Sequence, residues 1–192
     1  MRTMIAAVIP TASAGHTLPL LVGLSAPEAC LLLANLNTFA FDYVARQKAQ
    51  ATHLTWYILE QLPVIAPAAF EEKIGSVKIA DFIREQVLRL SYTAHDLAPF
   101  ARDLGYEGEP FPWDEDDRRR RMAALDALFM RLYGLTDEDA AYILDTFPIV
   151  RKEEHKKFGA YRQRQWILEG MKCLNAGQLP AAPECSARSR AS

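Results

Sequence analysis

Cysteine is scarce in this 192-residue chain, with Cys30, Cys173 and Cys185 odd in number and far apart. They lack the paired spacing of a zinc site or a small disulfide scaffold, and read as ordinary thiols of a reduced cytoplasm. No uninterrupted apolar run approaches the roughly 18 residues of a spanning helix, so no membrane span is expected. No Gly-rich cofactor loop follows a candidate strand, and no Asn/Asp-Pro-Pro-Tyr motif of the kind that grips a flipped base is present. Catalytic residues are therefore not assigned. A formal charge of -2 gives no global sign of nucleic-acid binding.

Half of the residues are apolar, enough for a core in a chain of one-domain length. Charge is unevenly placed: residues 71–150 carry about ten basic and seventeen acidic residues, whereas residues 151–172 carry about seven basic and three acidic. Any surface that meets DNA must be local.

Arg2, the apolar residues 4–9 and Ala12-Ser13-Ala14 imitate a secretory leader, but the basic region is one arginine and Pro10 interrupts the apolar run. The stretch reads better as a buried strand, with residues 17–22 a second candidate limited by Pro19 to an edge. Two strands make a marginal sheet, so their partners are expected from elsewhere.

Ser25-Ala26-Pro27-Glu28 is a capping box, opening a helix expected to run to Lys48. Asn35 and Asn37 near its middle read as solvent-facing or bonded to a neighbouring loop. Residues 54–62 fit helix or strand equally. Further helices are expected from residue 76 to 91, from a Thr93 cap to Gly105, and from Asp114 to Gly134. The acids at 114–117 should pair four residues on with Arg118 to Arg121, a helix that neutralises itself. Thr136 with Asp139 opens another helix, and residues 161–174 form the last. The fold class is thus α+β and predominantly α-helical, one or two short N-terminal strands followed by about six helices. Residues 178–192 read as a disordered tail.

The run Phe41-Asp42-Tyr43-Val44-Ala45-Arg46-Gln47-Lys48, with Thr52-His53-Leu54 and Glu60-Gln61-Leu62-Pro63-Val64, resembles the target-recognition region of Eco57I-type (type IIG-like) restriction-modification DNA adenine methylases and their phage-defence relatives. The likeness continues through Tyr92-Thr93-Ala94-His95-Asp96-Leu97-Ala98-Pro99-Phe100-Ala101, through Tyr142-Ile143-Leu144-Asp145-Thr146-Phe147-Pro148-Ile149-Val150, and into Phe158-Gly159-Ala160-Tyr161-Arg162. Residues 6–10 resemble one of that region's strands. The resemblance implies a C-terminal fragment of a site-specific adenine methyltransferase. Residues 1–70 would be a partial target-recognition region and residues 71–177 a C-terminal helical region. The partners implied are double-stranded DNA and the missing methyltransferase domain or subunit; S-adenosylmethionine would serve the parent enzyme, with no cofactor held by this chain.

Arg46, Lys48, Thr52 and His53 are the first DNA-contact candidates, side chains suited to phosphates and base edges. Arg151, Lys152, Lys156, Lys157, Arg162 and Arg164 form a second, phosphate-facing set. The bland alternative for both is solvated helix surface. A protein-interaction subunit or an inert gene remnant without DNA contact is the alternative function. Two catalytic patterns are weak: His95 and Asp96 are adjacent and do not face each other on a helix. Asp145 with Glu154-His155-Lys156 mimics a nuclease metal site only on helices, where such chemistry usually uses strands.

Overall fold

Ser25 and Glu28 start the helical part of the chain as the capping box requires, the Glu28 carboxylate accepting from the Ser25 amide at 2.9 Å. The computed structural model describes residues 2–15, 18–49 and 55–180. Nine α-helices lie within them: α1 (Ala26–Leu36), α2 (Phe39–Lys48), α3 (Trp56–Leu59), α4 (Ile79–Ser91), α5 (Ala98–Asp103), α6 (Glu115–Leu132), α7 (Asp137–Asp145), α8 (Pro148–Phe158) and α9 (Arg162–Asn175). One antiparallel pair, β1 (Lys73–Ile74) with β2 (Val77–Lys78), completes a predominantly helical α+β fold.

The class is as expected, but the strands are elsewhere. Residues 4–10 and 19–22 have no ladder partner among the described residues and are not strands. The observed sheet is instead a tight hairpin turned at Gly75, whose φ of 62° favours glycine. In place of a ladder, the arm at residues 3–6 is held by side chains. Asp42 accepts from the amides of Thr3 and Met4 at 2.6 Å, and Asn37 both accepts from and donates to Ala6.

The helix expected from Ser25 to Lys48 is two helices. Asn37 donates back to the Leu33 carbonyl at 3.0 Å, and the Thr38 hydroxyl caps the Phe41 amide while donating to Asn35. Two adjacent polar side chains thus compete with the helical ladder and break it. Asn35, fully buried, donates to the Tyr133 hydroxyl at 2.6 Å and accepts from the Ile65 amide of a neighbouring connector. Residues 56–59 resolve as a single helical turn. Thr93 does not cap: a 3-10 turn at His95–Leu97 leads into α5, where Pro99 occupies the first turn.

From Asp114 onward the sequence is followed closely. Asp114 caps the Asp117 amide, and Glu115, Asp116 and Asp117 each pair with the arginine four residues on. Thr136 and Asp139 form a capping box on α7, and Gly159 ends α8 at a φ of 73°. α6 is the central element, packed chiefly on α9 and also on α4. One core runs from Cys30, Ala34 and Phe39 through Ile83 and Phe129 to Met171 and Leu174, drawing on residues before and after position 70. A satellite cluster of Met4, Leu36, Phe41, Ala45 and Leu62 seats the N-terminal arm. Among the described residues no helix is long and apolar enough to cross a membrane.

Candidate nucleic-acid interface

α2 ends in the first candidate set, and the structure divides it. Arg46 is tied down: its guanidinium donates to the carbonyl and hydroxyl of Thr146 at 3.1 and 3.0 Å and lies 3.7 Å above the Phe147 ring. Asp42 completes the cradle at 3.5 Å. The side chain is only 26% exposed and works as a tether between α2 and the α7–α8 junction. Two residues on, Lys48 is exposed, as is Gln47. Thr52 and His53 lie outside the described residues.

The tether sets the C-terminal end of α2 against the residues that lead into α8. Thr146 and Phe147 immediately precede α8, whose exposed face carries Arg151, Lys152, His155 and Lys156. These positions recur at helical spacing on one side of the helix. No carboxylate pairs with Arg151, Lys152 or Lys156 among the described residues.

The rest of the second set is neutralised. Lys157 bonds both oxygens of Glu115 at 2.5 and 2.6 Å; that bond, then Arg119, holds the Glu115 carboxyl below its ordinary range. Arg162 stacks 4.6 Å over Phe158 and approaches Asp116 at 3.9 Å. Arg164 pairs with Asp145 at 3.3 Å.

Glu154 explains why α8 turns its cations outward. It is buried beneath Arg119, to which it is paired, and its second oxygen accepts the Gln163 amide at 3.1 Å, satisfying one free donor at the start of α9. With Glu154 inward, Lys152 and Lys156, two residues to either side, lie on the opposite side of α8, and Arg151 is exposed beside them. The nuclease-like pattern dissolves for the same reason, Asp145 and Glu154 each facing its own arginine. Among the described residues no three metal-ligating side chains converge. His95 is exposed and lies 3.5 Å from Glu109, not from Asp96.

Two apolar side chains at this surface carried no signal in the sequence. Tyr142 is 64% exposed and meets Tyr43 edge to face at 6.3 Å; Ile149 in the first turn of α8 is also exposed. Desolvation, with Tyr142 adding to it, raises the Tyr43 hydroxyl above its usual value. Two shallow hollows, of about 210 and 310 Å³, lie elsewhere, one beside Lys73 and Arg131 and one beside Tyr92 and Arg102.

Compared with protein-family models, with curated proteins and with solved structures, the chain matches none.

Proposed function

We propose that this chain is a non-catalytic DNA-contacting module, the target-recognition and helical part of a site-specific adenine DNA methyltransferase of restriction-modification type. It rests on double-stranded DNA through Lys48, Arg151, Lys152 and Lys156. One observation supports this above others: these four cations, Lys48 at the end of α2 and the other three on α8, remain exposed and unpaired by carboxylate among the described residues, while Lys157, Arg162 and Arg164 are paired. Phosphates are the ligands such a face fits, and the exposed Tyr142 and Ile149 beside it suit sugar or base contact. No residue of this chain is assigned to S-adenosylmethionine.

The test is fluorescence anisotropy with random duplex DNA across a salt series. Affinity should fall steeply with salt, and changing Lys48, Arg151, Lys152 and Lys156 together to alanine should lower the slope of log K against log salt by roughly 3–4, about 0.9 per lost phosphate contact. Arg46→Ala should act differently, lowering the melting temperature through the lost tether. Absence of binding at low salt by the folded protein sinks the reading. A protein-interaction subunit without DNA contact would then stand first, favoured by the exposed apolar side chains of the N-terminal arm.

A further inference from the structure

We propose that residues 4–9 are an open β-edge that receives the same segment of a second copy of the chain, antiparallel, with Ala7 of one copy opposite Ala7 of the other. The inference is independent of the DNA reading.

Burial along the arm alternates. Arg2, Met4, Ala6 and Val8 are covered to varying degrees, while Thr3, Ile5, Ala7 and Ile9 are exposed. That is the period of a pleated strand. The Thr3 amide, in a bend, shares the Asp42 carboxylate with Met4; from Met4 onward one edge of the backbone is occupied, the Met4 amide donating to Asp42 at 2.6 Å, the Ala6 amide to Asn37 at 3.1 Å, and the Asn37 side chain donating to the Ala6 carbonyl at 2.9 Å. In extended chain the peptide groups of alternate residues address opposite edges. The amides and carbonyls of Ile5, Ala7 and Ile9 therefore address the free edge, and among the described residues none of them has a hydrogen-bond partner.

Chains usually guard such an edge with charge. Here there is no Asp, Glu, Lys or Arg between Arg2 and Glu28. A charge-free strand is matched by a partner that is equally charge-free, and the identical segment is one. A twofold axis through Ala7 sets Ile5 of one copy beside Ile9 of the other on the outward face, with the two small Ala7 side chains at the axis. Apolar cross-strand pairs of this kind stabilise an antiparallel ladder. Pro10 does not obstruct it, because position 10 shares the inner edge with Met4 and Ala6, where its missing N–H is not called upon.

Ile5 and Ile9 are 75% and 44% exposed, so the paired edge would present apolar side chains on its outward face.

The experiment uses the whole protein without DNA. Light scattering after size exclusion, over a dilution series, should show a dimer that dissociates on dilution. Ala7→Lys, which sets two like charges at the axis on a solvent-facing side chain, should give a monomer with unchanged far-UV circular dichroism. Antiparallel opposed residues lie about 5.5 Å apart at Cα, within disulfide reach. Ala7→Cys should therefore cross-link to itself under mild oxidation several times faster than Ile5→Cys, measured against the wild-type background of native cysteines. A wild-type protein that stays monomeric at every concentration overturns the proposal, including one whose arm pairs with a different polypeptide. So does a dimer that survives Ala7→Lys, or equal cross-linking at positions 5 and 7.

Discussion

Asp126 shows at the scale of one residue how a polar group deep in an apolar helix shapes its surroundings. It sits on the core-facing side of α6 and accepts the Phe39 amide at 2.7 Å, so a carboxyl from one helix completes the N-terminus of another. Burial pushes its pKa up to about 7; Arg2 and the Phe39 amide pull it back, and Asp42 adds to the rise. In the unfolded chain it titrates near 4. Between these values the folded form holds a proton that the unfolded form has released, so stability is greatest at low pH and is lost as pH rises through 7. The full shift corresponds to as much as about 4 kcal/mol. Urea unfolding at pH 5 and pH 8 should show wild type losing stability over that interval. Asp126→Asn, which keeps the acceptor oxygen, should lose much less.

Between elements, the α6–α9 contact depends on two small residues. A Cβ built at Gly170 would stand 2.8 Å from the Ala127 Cβ, closer than two such atoms can approach. Gly170→Ala should therefore lower stability by about 1–3 kcal/mol through overpacking, although alanine is the better helix former by about 1 kcal/mol. Adding Ala127→Gly should recover part of the loss, and thermal unfolding of the single and double variants measures both. Failure of the second change to help would locate the strain elsewhere. The helix ends themselves were legible, because capping is local: Ser25 with Glu28, Asp114 with Asp117 and Thr136 with Asp139 lie within one turn of each other. The α1–α2 break was not, since Asn35, Asn37 and Thr38 act partly through residues 6, 65 and 133, which only folding brings near.

For the molecule as a whole, the core joins Cys30, Ala34 and Phe39 of the N-terminal part to Phe129, Met171 and Leu174 of the C-terminal part. A shared core predicts one cooperative transition. Far-UV circular dichroism and the fluorescence of Trp166, which packs against that core, should report the same midpoint in urea. Separate midpoints would mean that the parts on either side of residue 70 unfold independently.

The sequence by itself determined the predominance of helix, most of the helix starts and stops, and the self-neutralising pattern of α6. Each of these is decided by residues a few positions apart, through backbone capping and i,i+4 pairing. Tertiary structure alone decided which cations are exposed. Arg46 finds Thr146, Lys157 finds Glu115 and Glu154 finds Arg119 across intervals of 35 to 100 residues, so identical side chains become tether, ion pair or open surface according to what packing sets beside them.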